Sequence, residues 1–503
     1  MRPRSFAALF LTLAFAAAAA RAFEACAPEA HGVPSRAVQD WISTVERDID
    51  ALHGFVLVRH GKIIAEGWWS PYERERPHML YSLSKSFTST AVGLAADEGR
   101  LSLDDKVVSF FPDKLPEAPS ENLRRMRVRD LLCMGTGHQD DTFPALKAAP
   151  DGDWARLFLA RPVQHEPGTF FRYNTGATYM LAAILRQATG EDLLDYLTPR
   201  LFAPLDIRNP TWETGPQGVR TGGYGLKVTT RDIAALGQLY LQKGLWNGRQ
   251  LLSSNWVAQA TAKQIANGDT PSSDWAQGYG FQFWRCRHNA FRGDGAFGQY
   301  CLVLPDQDAV LAINSGLGNM QQVLDTVWSG LLPAMRPEAL PADPAAHAAL
   351  TAKLAALTLP PVAGDAAPAA AALGQTFTFG DNPKALRALA LRPEGEGFAL
   401  ELQNAHGAQR VVCGRGRWVP GELTFEPELK RSIDTTNGRQ PVAASGAWTA
   451  PDRYVAQIVF RESPFRLTLT LHFQGDRLEL GLEQNVSFDP RTWSLTGRAA
   501  PQP

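Results

Sequence analysis

The sequence predicts two units in tandem: an α/β (α+β) unit in which a sheet packs against helices, then a small all-β barrel or sandwich. Three observations predict it. Between residues 55 and 314 the apolar pattern runs in the order hairpin, helices, strands, which suits a sheet whose two ends are brought together. Residues 336–370 turn rich in Ala and Pro. Beyond them the hydrophobic period falls to two. A chain of 503 residues also exceeds what one ordinary core organises.

Each element has its own signal. Residues 55–59, a His60-Gly61 turn and residues 62–65 predict a hairpin. Residues 82–98 predict a helix that Gly99 ends, and 129–134 a short one that ends near Gly135-Thr136-Gly137. After a Pro167-Gly168-Thr169 turn, an extended piece reaches Tyr173 and a second long helix runs to Thr189 before Gly190. A third, 230–243, stops at Gly244. Apolar runs punctuated by Gly and Pro over 279–314 predict several strands. Residues 345–357 have a helical pattern inside the Ala/Pro-rich stretch, and the domains are cut there: 30–340, a linker 341–370, and 371–503. Alternation at 398–402, 454–460, 467–473 and 478–482, with a Gln474-Gly475-Asp476 loop, predicts the strands of the second unit. No internal repeat is visible.

Composition narrows the function. Hydrophobic residues make up 45% and charged residues 20%, which excludes a disordered or fibrous chain. A formal charge of −1 argues against nucleic acid or an acidic membrane surface as partner. Arg2 and Arg4, an apolar run over 6–20 and Ala20-Arg21-Ala22 read as a cleavable signal peptide, residues 1–22, so the protein is expected to be exported, periplasmic or secreted. Cleavage deletes three arginines and lowers the charge by three. The alternative is an uncleaved anchor. No later stretch approaches the ~18 apolar residues of a membrane span. Phe23-Glu24-Ala25 ahead of Cys26 argues against lipidation. The five cysteines leave at least one free thiol. Cys286 and Cys301 lie in runs that could neighbour one another, and spacing alone does not decide whether they pair. Their spacings fit no zinc site, and no cofactor or metal is expected.

The chemistry rests on Ser82-Leu83-Ser84-Lys85, the one S-x-x-K in the chain. Residues three apart share a helix face, so the Lys85 amine reaches the Ser82 hydroxyl. Ser82, Lys85, Ser86 and Ser89 form a small polar stripe, with Leu83, Phe87, Ala91 and Leu94 leaning away from it. Read in isolation, Lys85 is better explained as a solvated surface charge. Tyr173-Asn174-Thr175 precedes a helix that Asn174 or Thr175 would cap; in isolation Tyr173 is a core tyrosine. Gly293-Asp294-Gly295-Ala296-Phe297-Gly298-Gln299 lies between strand-like runs, either a plain glycine-rich hairpin or a backbone bare enough to approach a substrate and offer N–H donors.

Those pieces, joined by Asp130-Leu131-Leu132-Cys133-Met134-Gly135-Thr136-Gly137 and Gly222-Gly223-Tyr224-Gly225-Leu226, resemble a known family over roughly residues 33–332. It is the serine β-lactamase, penicillin-binding protein and class C-like esterase group, which includes linear-amide hydrolases of the 6-aminohexanoate-dimer type. The resemblance implies a β-lactamase/transpeptidase-like domain with an antiparallel sheet. It implies a small-molecule ester or amide as substrate, attacked by Ser82 to give an acyl-enzyme, with Lys85 and Tyr173 handling protons as a coupled pair. The oxyanion hole would be the backbone N–H groups of Ser82 and Ala296, beside Gly295; losing one such donor costs about 3 to 4 kcal/mol at the transition state. Asp294, Thr175, Asn174 and His138 would border the substrate, with Asp140 and Asp141 near His138.

Two departures from the family pattern bear on specificity. Its third element is usually Lys-Thr-Gly or His-x-Gly, whereas Gly293-Asp294-Gly295 stands here, so a carboxylate sits where a cation would grip a substrate carboxylate. Thr175 stands where many relatives carry Asn. Both point away from β-lactams and D-alanyl peptides, towards uncharged or amine-bearing esters and amides. The competing reading is a penicillin-binding-protein-like sensor that acylates slowly or not at all.

Overall fold

The structure, a computed structural model, describes residues 23–50, 52–149, 152–369, 373–424 and 438–501. The predicted signal peptide, residues 1–22, lies outside them. The first hairpin pairs Leu52–Arg59 with Lys62–Trp68, and His60 and Gly61 take left-handed φ values of 48° and 73° at its turn. Two-residue turns of that kind match the twist of the strands they join.

This hairpin is the edge of a six-stranded antiparallel sheet, in the order Lys62–Trp68, Leu52–Arg59, Ala309–Ser315, Gln299–Leu304, Phe291–Gly295 and Trp284–Arg285. An early strand thus lies beside a late one, with Val56 opposite Ala312. Alternation divides the side chains between two layers. Phe55, Leu57, Tyr300, Leu302 and Ile313 pack under the helices Ser35–Asp48 and Met320–Thr326. Val56, Cys301, Val303, Val310 and Ala312 pack against Ser84–Asp97, Thr175–Thr189 and Thr230–Leu241. Helices cover both faces, so strands such as Ala309–Ser315 are buried throughout and read as unbroken apolar runs. Cys286 and Cys301 belong to opposite faces of this sheet, and both carry free thiols.

The stretch expected to be a linker is shared out. Its helix, Pro344–Ala355, buries Leu350 in the outer layer of the first unit, and Lys353 reaches Glu46 at 2.5 Å. Residues 361–369 instead run along the second unit, where Ala366 N donates to the Trp448 carbonyl and Ala369 N to that of Pro451.

The second unit is one ten-stranded antiparallel sheet curled until it nearly closes. Its order is Gly407–Cys413, Gly397–Asn404, Ala388–Glu394, Thr376–Phe379, Thr492–Ala499, Arg477–Gln484, Arg466–Gln474, Arg453–Phe460, Arg439–Ala450 and Val419–Thr424. The first and last strands in sequence pair with each other, so the seam falls between two strands that follow one another in the chain. Gln409 bridges it, donating to Thr424 O at 2.6 Å and accepting from Thr424 N at 2.5 Å. Strict alternation fills the interior: Leu467, Leu469, Leu471 and Phe473 point in, while Thr468 and Thr470 do not.

Two corners of this sheet meet the first unit. Met79 N donates to Glu462 O, Arg461 Nε to Pro71 O, and Asn485 Nδ2 to Gly316 O. Tyr81 and Phe297, both from the first unit, are part of the apolar cluster of the second.

Candidate active site

Ser82 lies on a 3-10 turn, Tyr81–Leu83, which runs straight into the helix Ser84–Asp97. Tyr81 is held at φ 50°, a conformation that costs a non-glycine residue about 1–3 kcal/mol. Its ring packs edge-on against Phe297 and Phe488, which over-determines the turn. Lys85 follows in the first helical turn and is 1% exposed, so it is no surface charge. Its Nζ lies 3.1 Å from Ser82 Oγ and 3.4 Å from Thr175 Oγ1, and donates to the Gly223 carbonyl at 2.8 Å. Gly223 is required there: a Cβ would come within 2.8 Å of Thr175 Cγ2.

Tyr173 arrives from a loop that the 133–138 turn clamps. His165 N donates to Gly137 O, Gly168 N to Gly135 O, and Arg172 N to Met134 O. Tyr173 borders the same cleft as Ser82, and Lys85 Nζ sits 4.9 Å from its ring centroid. Burial pushes the phenol above its ordinary range and the Asp294 charge adds to this, against the pull of the nearby Ser82 hydroxyl, so at neutral pH it keeps its proton.

The glycines of the third stretch have a packing role. A Cβ on Gly295 would strike the Leu80 carbonyl, and one on Gly293 the Ser86 hydroxyl. Their absence lets the strand Phe291–Gly295 lie against the start of the helix Ser84–Asp97, and that contact carries Ala296 to the edge of the cavity beside Ser82.

Ser82, Tyr173, Thr175, Asp294 and Ala296 line one cleft of about 600 Å³. Ser82, Thr175 and Ala296 also border a side pocket of about 50 Å³ with Glu213, Tyr224 and Gly225. The rest of the large cleft is mostly apolar: Trp275, Trp284, Phe143, Met320 and Phe488, with Asp141 and Lys147 at its rim. Trp284 stacks on Tyr173 at 5.5 Å. Asp294 is less isolated than the sequence suggests. Arg292, fully buried, donates to it at 2.8 Å and lies over the Trp275 ring at 4.3 Å. Burial raises the Asp294 carboxyl, and the Arg292 charge opposes this. The guanidinium is buried and does not line the cleft, whereas Asp294 does.

Two candidates stand elsewhere. Asn174 is fully buried and caps the helix Thr175–Thr189, its Oδ1 accepting from Ala177 N at 3.3 Å and from Thr142 Oγ1 at 2.8 Å. His138 does not border the cleft. It is buried against Phe158, its Nδ1 2.9 Å from Thr136 Oγ1, and burial pushes its pKa down to about 4. Asp140 is exposed, whereas Asp141 reaches the rim and accepts from Thr175 N at 2.9 Å. Sequence reasoning missed Trp275, Trp284, Lys147 and Phe488, none of which sits in a motif. Among the described residues no group of three His, Cys, Asp or Glu is arranged to hold a metal.

Comparison with known proteins points to one family. The family model described as Beta-lactamase matches residues 44–323. The chain is 26% identical over 277 residues to the 6-aminohexanoate-dimer hydrolase of Paenarthrobacter ureafaciens, covering 51% of this chain and 70% of that one. It is 26% identical over 170 residues to the D-aminopeptidase of Brucella anthropi, spanning only 31% of that protein. Of solved structures, one described as a 6-aminohexanoate-dimer hydrolase from Bacillus anthracis superposes with TM-score 0.52 at 21% identity, over 64% of this chain and 89% of that one. SurE bound to D-Leu superposes with TM-score 0.50 at 18% identity, over 85% and 97%. Both likenesses are of fold.

Proposed function

The chain belongs to the beta-lactamase family, and from that premise we propose that it is an exported serine hydrolase acting through a Ser82 acyl-enzyme on esters or amides of small, uncharged or amine-bearing substrates. The observation that carries this reading is the Ser82 hydroxyl, 3.1 Å from the Lys85 amine and lining one cleft with Tyr173. In the proposed reaction Ser82 Oγ attacks the carbonyl carbon and its proton passes to the Lys85–Tyr173 pair. The backbone N–H groups of Ser82 and Ala296 take up the charge growing on the carbonyl oxygen. The pair then returns the proton to the leaving alcohol or amine, and water repeats the sequence on the acyl-enzyme. A phenol that holds its proton suits the donor's part.

The substrate class rests on the cleft wall. Its polar lining has two carboxylates, Asp141 and Asp294, against Lys147, while Arg292, buried and bonded to Asp294, does not line it. That lining disfavours a substrate carboxylate and suits an amine or a neutral group. We further propose that residues 30–340 form the hydrolase domain and 371–503 a separate β domain.

A fluorophosphonate probe tests the proposal. Rapid labelling at Ser82, abolished in Ser82→Ala, is expected; a wild-type protein that resists the probe at every practical dose would instead be a sensor. Short esters, linear amides and a cephalosporin assayed side by side test the specificity. Preference for the cephalosporin overturns that part.

A further inference from the structure

We propose that Phe488, supplied by the second unit, contacts the apolar group next to the scissile bond and sets which substrates the cleft accepts. This deepens the hydrolase reading and rests on it. Phe488 is 52% exposed and, with Leu245, one of two large hydrophobic side chains left so open among the described residues. Its place is particular. The ring borders both the large cleft and the side pocket, as Ser82, Thr175 and Ala296 also do. A substrate whose carbonyl rests on Ser82 and whose groups extend into both cavities must therefore pass under it.

The ring is seated, not trailing. It lies 4.8 Å from Phe297 and 6.2 Å from Tyr81, centroid to centroid. The turn that carries it is pinned at its base. Asn485 Nδ2 donates to Gly316 O and Pro464 O, both at 2.9 Å, its Oδ1 accepts from Arg466 N at 2.7 Å, and Arg491 Nη1 donates to its carbonyl at 2.8 Å. Val486 is buried beside it. One face of the ring is thus fixed while the other meets water. Covering that face removes apolar surface from solvent, and Trp275, Trp284 and Met320 in the same cleft offer the same to whatever lies there. The chemical class that fits is an ester or amide with an aliphatic or aromatic group of several carbons beside the carbonyl.

The experiment compares p-nitrophenyl acetate, butyrate and octanoate on the full chain, with Phe488→Ala and Phe488→Leu. Wild type is expected to gain in kcat/KM as the acyl chain lengthens. Phe488→Ala is expected to lower the octanoate-to-acetate ratio tenfold or more, mainly through KM, and Phe488→Leu to restore most of it. The same ratio in Phe488→Ala as in wild type, or an equal fall on all three esters, overturns the inference. Fluorophosphonate labelling of wild-type Ser82 runs alongside. Labelling with an unchanged ratio sinks the role of Phe488 alone; no labelling sinks the hydrolase reading and this inference with it.

Discussion

The helix Ser84–Asp97 and the hairpin of Arg466–Gln474 with Arg477–Gln484 are both central to their cores, and they are held there by different forces. The helix is buried on every side for its first twelve residues, hydroxyls included. Ser86, Thr88 and Ser89 donate to the carbonyls of Gln282, Gly222 and Phe281 at 2.7–2.9 Å, and Thr90 meets Tyr240 at 2.9 Å. Each such bond adds only about 1 kcal/mol net, but an unmade one costs more, so the helix has one acceptable position. The hairpin sets Leu469 opposite Leu482 and Leu471 opposite Leu480, burying one face and leaving the other polar. Its stability scales with area, about 25 cal/mol per Å². One region fixes geometry; the other supplies stability.

That contrast can be broken by mutation. The largest effect is expected from Lys85→Ala and Tyr173→Phe. Each should lower p-nitrophenyl ester turnover by about three orders of magnitude, within the range of a lost acid–base group, with the far-UV circular dichroism of wild type. A near-wild-type rate in either removes that residue from the mechanism. Next is Leu480→Ala in the hairpin, expected to cost about 3 kcal/mol in urea unfolding while kcat/KM stays at the wild-type value. A comparable loss of activity in the folded variant would show that the two regions are not separable as described.

The junction of the units sharpens the comparison through pH. His53 and His78 are buried with their ring nitrogens 3.0 Å apart, His53 stacks on Tyr72, and Tyr72 donates to Ser463 O across the junction. Burial pushes His78 down to about 4 and His53 well below the usual histidine value, with Arg466 and Lys227 as the nearby cations. The unfolded chain takes up protons as pH falls through about 6.5, and the folded chain refuses them until about 4. Stability is therefore full well above 6.5 and lost on acidification, for His78 by about 1.5 kcal/mol between pH 6.5 and 5, with His53 acting in the same direction. Thermal melts should show this slope, shallower in His78→Gln; equal slopes would exonerate the pair. The smallest effect is Gln409→Ala at the seam, about 1 kcal/mol by urea titration with activity unchanged.

How far these regions can be read from sequence follows from the same difference. Alternation is local, so residues 467–473 and 478–482 announce their strands and faces without help. The polar stripe Ser82, Lys85, Ser86 and Ser89 is equally visible, but it looks like a solvent face. The carbonyls that satisfy it belong to residues 223, 281 and 282, far along the chain. The motif order picks out Ser82, Lys85 and Tyr173 because each carries a short pattern. Trp275 and Trp284 sit in no pattern, and Phe488 follows a strand in the other unit, so nothing local marks them. His138 looks like a cleft residue because it follows Gly137, yet the turn that clamps the Tyr173 loop drives its ring inward.

The left-handed peptide at Tyr81 binds the fate of the two halves together. Its ring is wedged by Phe297 and by Phe488 of the second unit, so the backbone beside Ser82 leans on a side chain coded some four hundred residues downstream. Exchanging that module for an unrelated one would leave Tyr81 without one of its two ring contacts. The graft must bring its own wedge, or position 81 must be rebuilt for a relaxed backbone.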